Sequence, residues 1–102
     1  MSAPLSQQEL ELDLKELPGW KFEDDRLMRE LVFSSFRQAM AFLTRLAFEA
    51  EEQNHHPEIY LVYNRVMVAL TTHDAGDRVT SNDVRLAHKV ELVLKEFQSQ
   101  RN

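Results

Sequence analysis

Three histidines supply most of the chemistry in this sequence. His55 and His56 are adjacent in segment 51–57, EEQNHHP, just before Pro57, and His73 follows in LTTHDAG. Imidazole titrates near neutrality, so it can both give and take a proton at cellular pH. A reaction needing acid at one atom and base at another can use two such rings. Glu51, four residues before His55, is of a type that holds a substrate N–H or orients a ring. Three histidines also build catalytic zinc sites. Against that, neighbours in an extended chain point to opposite sides, which makes joint coordination by His55 and His56 awkward. The plainest reading makes them polar residues at element ends, with His56 held extended by Pro57. Spacing alone leaves the three readings open. No serine or threonine stands in a recognisable nucleophile setting, and with no cysteine there is no thiolate and no sulfur ligand.

The elements around these residues decide whether they meet. Ser6-Gln7-Gln8-Glu9 matches a capping box, Leu10, Leu14 and Leu17 recur at helical spacing, and Pro18-Gly19 stops that helix. Residues 20–33 read as a hairpin, with Trp20 and Phe22 alternating and Glu23-Asp24-Asp25-Arg26 as its turn. Ser35-Phe36-Arg37-Gln38 opens a second helix, with Phe36, Met40, Leu43, Leu46, Ala47 and Ala50 as its apolar stripe. Phe42 and Phe48 fall off that stripe and suggest a subunit contact. Ile59–Tyr63 and Arg65–Thr72 read as two strands bent near Asn64, with Val66, Val68 and Leu70 on one face. Asp74–Val79 is a loop. Thr80-Ser81-Asn82-Asp83 caps a last helix carrying Leu86, Val90, Val93 and Phe97, so capping accounts for Asp83. His88 reads as a surface position on that helix, and Trp20 as core rather than as a pocket wall.

The fold class expected is α+β: a two-layer, four-stranded antiparallel sheet with helices packed on one face, in the order α-ββ-α-ββ-α. The sheet's other face is left for a ligand or a partner. In an antiparallel hairpin the start of the first strand lies beside the end of the second. His55 and His56 should therefore converge with His73.

Composition narrows the partners. Seventeen acidic residues against twelve basic ones give a net charge of -5, and no Lys/Arg cluster interrupts it. That excludes a binder of the nucleic-acid backbone, which needs a basic face. The longest wholly apolar stretch, Val66–Leu70, is far too short to span a bilayer. The opening residues, MSAPLSQQELEL, have neither the basic nor the apolar region of a secretory signal. A single cytoplasmic domain over residues 1–102 is expected, without membrane or nucleic-acid partners and near the size where self-association helps.

The wider pattern is more specific than the histidines. Glu51-x-x-Asn54-His55-His56-Pro57, Tyr63-Asn64-x-Val66, Thr72-His73 and Asn82-Asp83-x-x-Leu86-Ala87 together resemble the pterin-4a-carbinolamine dehydratase family. The resemblance runs from Pro18-Gly19-Trp20 to the last helix and is densest over 51–88. It implies removal of water from 4a-hydroxytetrahydropterin to give quinonoid dihydropterin, recycling the pterin of aromatic amino acid hydroxylases without metal or organic cofactor. By the same resemblance, His55, His56, His73 and Glu51 are catalytic. His55, His56, Pro57, Thr72, His73, Asp74 and Ala75 hold the pterin. Family members are dimers or tetramers, and some act as dimerisation or assembly partners of other proteins, so a protein-binding scaffold is the alternative. The sequence departs from the pattern at Asp77-Arg78-Val79, where many relatives have a shorter or Gly-Leu-type stretch, and at Ile59, where some have tryptophan.

Overall fold

The computed structural model describes residues 3–99, so positions 1, 2 and 100–102 of the expected 1–102 domain lie outside the described residues. Its order is α1 (Gln7–Lys15), β1 (Trp20–Glu23), β2 (Arg26–Val32), α2 (Phe36–Gln53), β3 (Glu58–Val62), β4 (Arg65–Leu70), a 3₁₀ turn (His73–Ala75) and α3 (Ser81–Ser99). The four strands form one antiparallel sheet in the order β1-β2-β4-β3. The architecture is the α+β order that the sequence implies.

Local chemistry sets the element ends. Ser6 and Glu9 close a reciprocal capping box on α1. The Ser6 N–H, and then its hydroxyl, hold the Glu9 carboxyl below the usual carboxylate range. The first hairpin turns on Asp24 and Asp25, both left-handed (φ 54° and 57°), as a two-residue turn matched to the strand twist requires. The second turns at Tyr63 (φ 52°), where Asn64 Nδ2 donates to the Phe33 carbonyl at 2.8 Å. Gly19 sits at φ 91°, and a Cβ there would lie 2.5 Å from Arg29 Nη1. Arg29 Nε donates to Glu91 on α3 at 3.1 Å. Gly19→Ala is therefore expected to cost about 1–2 kcal/mol from backbone strain alone. For a domain of this size that lowers the melting temperature by several degrees, about 4–8 °C per kcal/mol. An unchanged melting curve would contradict this account of the turn.

The core lies between one sheet face and the helices. Leu27 and Leu31 of β2 and Val66, Val68 and Leu70 of β4 are buried against Phe42 and Leu46 of α2 and Leu86, Val90 and Val93 of α3. Trp20 is also core: its indole N–H donates to Glu91 Oε2 at 2.8 Å. The opposite face of the sheet is uncovered, with Tyr60 and Val62 about 70% exposed (71% and 70%).

Two sequence expectations need correction here. Phe42 is not off the core stripe of α2: it is fully buried, together with Ala39, Leu46 and Ala50. Phe36 and Met40, assigned to the stripe, are exposed, and so is Ala47. Helix α2 carries apolar residues around more than half its circumference, so periodicity defines two overlapping faces. The choice between them is tertiary: the Phe42 ring lies 5.1 Å from Phe33 and 5.9 Å from Phe97, centroid to centroid. Phe48 does remain exposed. The second correction concerns β4, which ends at Leu70 rather than Thr72. Thr72 leaves the ladder because its N–H donates to the Arg78 carbonyl at 3.0 Å, an isolated bridge that closes the following loop.

Candidate active site

The left-handed Asn54 (φ 55°, ψ 45°) ends α2, and the His55 N–H donates back to the Ala50 carbonyl at 3.0 Å. This αL cap with a six-to-one bond turns the chain sharply out of the helix. It sends His55-His56-Pro57 into β3, whose first rung pairs Glu58 with Ala69. The far end of β4 delivers Thr72 and His73 to the same end of the hairpin.

A buried carboxylate joins the two segments. Asp83, fully buried in the first turn of α3, accepts the Thr80 N–H at 2.9 Å and the Thr72 hydroxyl at 2.8 Å on Oδ2. Its Oδ1 lies 2.5 Å from His55 Nε2. The one hydroxyl proton of Thr72 goes to Asp83, so the Thr80 hydroxyl donates to Thr72 Oγ1 at 2.8 Å. Thr80 Oγ1 in turn accepts the Asn82 N–H at 3.2 Å. The side-chain oxygens of Thr72, Thr80 and Asp83 are thus all bonded, as burial demands. Asp83 does cap α3 as its spacing implies, but with one oxygen only. Its tie to His55 had no local signature, because the partner lies on another element.

The other two histidines have carboxylate partners as well. His56 Nε2 lies 2.7 Å from Glu51 Oε1, within hydrogen-bond distance. His73 Nδ1 lies 2.6 Å from Asp77 Oδ1. A carboxylate only accepts, so each neutral ring donates its bonded N–H and keeps a lone pair on the other nitrogen. The nitrogens left over are Nδ1 of His55, Nδ1 of His56 and Nε2 of His73. His55 is largely buried whereas His56 and His73 are exposed (side chains 13%, 61% and 79%), so the site is an open surface. Asp77 was legible in the sequence only as a departure from a familiar loop.

The remaining residues expected in the site fall around this network. Pro57 is half-buried, Thr72 buried and Asp74 exposed, with Ala75 half-buried at the end of the 3₁₀ turn. The N–H groups of Ala75, Gly76 and Asp77 are spent inside the loop, on the Thr72 and His73 carbonyls. Those three donors are therefore not free for a ligand. Beside the site, Arg26 forms a fork with Glu58 at 3.0 and 3.1 Å, which raises the guanidinium pKa first through the hydrogen bond and then through charge. Among the described residues, no group of three or more His, Cys, Asp or Glu side chains is arranged to hold a metal ion, and no helix is long and apolar enough to cross a membrane. His88 is exposed on α3, away from this network.

The fold and the sequence as a whole are similar to those of known proteins. A family model described as pterin 4 alpha carbinolamine dehydratase matches residues 3–93. A protein of Opitutus terrae, provisionally named a pterin-4-alpha-carbinolamine dehydratase, is 50% identical over 93 residues, covering 91% of this chain and 96% of its own. The crystal structure of a transcriptional coactivator/pterin dehydratase from Brucella melitensis superposes with a TM-score of 0.84 at 35% identity, covering 88% of this chain and 97% of the other. A pterin dehydratase-like protein identified as a RuBisCO assembly factor in the alpha-carboxysome superposes with a TM-score of 0.59 at 25% identity, over 72% and 84% of the two chains. The extent of the family match, the identity and the fold agree, and the chain belongs to the pterin-4-alpha-carbinolamine dehydratase family.

Proposed function

We propose that the protein dehydrates 4a-hydroxytetrahydropterin to quinonoid dihydropterin by histidine acid/base catalysis. The observation that carries this reading is the set of three imidazoles at one end of the β3–β4 hairpin, each bonded to its own carboxylate through one nitrogen and keeping the other. In the reaction the bond from the 4a carbon to its hydroxyl breaks. An imidazolium gives the departing oxygen its proton, so water leaves. A ring nitrogen of the pterin forms the new double bond to the 4a carbon, and its proton passes to a neutral imidazole. Proton count and charge balance without any oxidant or reductant. The carboxylates hold the rings in one tautomer and stabilise the imidazolium form, as a carboxylate does in other His-dependent sites. His55, His56 and His73 are the proposed proton carriers. Glu51 and Asp83 set the orientation of His56 and His55, and the segments His55-His56-Pro57 and Thr72-His73-Asp74-Ala75 line the pterin. The reading carries a cytoplasmic location with it.

The direct test is dehydration of a chemically generated 4a-hydroxytetrahydropterin, followed by ultraviolet absorbance. Purified protein is expected to accelerate the reaction well above the buffer rate, and treatment with a strong chelator is expected to leave the rate unchanged. A protein that never exceeds the buffer rate would overturn the enzyme reading. Rate loss on chelation, restored by zinc, would replace the metal-free mechanism.

A second reading, compatible with the first, is a self-associating or assembly-partner module. It is favoured by the exposed Phe36, Met40 and Phe48 on α2 and the exposed Ile59, Tyr60 and Val62 on edge strand β3. An edge strand with apolar side chains and unpaired backbone groups is a surface that proteins ordinarily cover. The coactivator and assembly roles in the names of the two structural relatives point the same way.

A further inference from the structure

We propose that Asp77 is a positioning residue for His73, holding its ring as the Nδ1–H tautomer so that Nε2 is the nitrogen presented to substrate. The proposal deepens the dehydratase reading and rests on it for the word substrate. Its geometry stands independently. Asp77 Oδ1 lies 2.6 Å from His73 Nδ1. The carboxylate comes from a residue whose backbone is fixed on both sides. Gly76 and Asp77 are both left-handed, at φ 75° and 58°. The Asp77 N–H donates to the Thr72 carbonyl at 3.1 Å, and the next residue, Arg78, accepts the Thr72 N–H at 3.0 Å. Thr72 is itself buried and bonded to Asp83. The Asp77 side chain is thus carried on a loop pinned to the buried network.

Stability does not explain the pair. Both side chains are largely exposed, 79% for His73 and 63% for Asp77. An exposed ion pair contributes little to folding, and the left-handed backbone at Asp77, which aspartate adopts less readily than glycine, adds nothing to it. A short, well-placed contact that does little for the fold, at a strained backbone position beside the proposed chemistry, fits orientation of the ring. It also completes a pattern, since His55 and His56 are each held by a carboxylate in the same way. Without Asp77, an exposed imidazole would sample both tautomers and free rotation about its side-chain bonds. It would then offer the reacting nitrogen only part of the time.

Long-range proton–nitrogen spectra of the histidine rings, recorded with the rings neutral, test this directly. In the wild-type protein His73 is expected to show protonated Nδ1 and bare Nε2. Asp77→Gly keeps the left-handed backbone without strain and removes the carboxylate. It is expected to shift His73 toward the Nε2–H form that free imidazole side chains prefer. In the dehydration assay its kcat is expected to fall about tenfold, the scale for an outer partner of a functional imidazole. KM should be unchanged, because Asp77 does not touch substrate. A wild-type His73 already in the Nε2–H form overturns the proposal, as does a tautomer change with unaltered kcat. An active wild type whose tautomer and kcat both ignore Asp77→Gly overturns the positioning role and leaves the dehydratase. An inactive wild type whose Nδ1–H form is lost in Asp77→Gly sinks the dehydratase reading instead and upholds the orientation of the ring.

Discussion

Replacing His55 by glutamine and His73 by alanine in one chain is expected to lower pterin dehydration by about 10²–10⁴-fold, the contribution of positioned acid/base groups. The choice of glutamine matters. His55 donates to the fully buried Asp83, so alanine there would remove a proposed proton carrier and also strand a buried carboxylate oxygen. Glutamine retains an N–H donor of similar reach but cannot carry a proton. His73 is exposed and bonds only an exposed carboxylate, so alanine at that position leaves the core untouched. The measurement pairs the dehydration rate with circular dichroism and a melting curve. A folded double variant with wild-type activity would remove the histidines from the chemistry. An inactive but unfolded variant would show only that the substitution was badly chosen, and His73→Ala alone then carries the test, with the same expected direction.

Asp83 gives the largest expected effect on stability. Asp83→Ala leaves the Thr80 N–H, the Thr72 hydroxyl and the His55 ring without their acceptor, with Thr72 and Thr80 themselves buried. A buried donor left without its acceptor costs about 1–3 kcal/mol, so stranding three of them should cost at least about 3 kcal/mol. At about 4–8 °C per kcal/mol, the melting temperature should fall by more than about 12 °C. Asp83→Asn separates the two tasks of the carboxylate. The amide oxygen can still accept the Thr80 N–H and the Thr72 hydroxyl, so much of the stability should survive. Its NH₂ group then faces His55 and forces the ring to accept at Nε2, which moves the proton to Nδ1. Dehydration is expected to fall by about 10²-fold or more, as when the orienting carboxylate of a catalytic histidine becomes an amide. An Asp83→Asn protein with wild-type turnover would confine Asp83 to capping and packing.

Much of this arrangement was legible because its causes are local. Ser6 and Glu9 announce a helix start and form one. Asp24-Asp25 supplies the two left-handed residues of a tight hairpin, and the alternation of Val66, Val68 and Leu70 selects the buried face of β4. That the His55 segment and the Thr72-His73 segment flank the same end of the β3–β4 hairpin followed from strand pairing. What escaped depends on contacts between elements. The spacing of α2 could not say whether Phe36 or Phe42 faces inward, since only Phe33 and Phe97 decide it. The second oxygen of Asp83 is invisible to spacing because its partner, His55, lies on another element. Asp77 bonds a residue only four positions away, yet its reach depends on two consecutive left-handed residues that the loop sequence does not specify.

The network around Asp83 has a further consequence for how the protein comes into being. Until the first turn of α3 docks, His55 lacks its Asp83 partner and the Thr72 hydroxyl lacks its acceptor. The first turn of α3 supplies Asp83, so docking of the last helix completes the fold and sets the first histidine in one event. A chain without the first turn of α3 would hold His55 without its carboxylate, while His56 and His73 would keep theirs. The setting of His55 is in this way tied to the docking of α3.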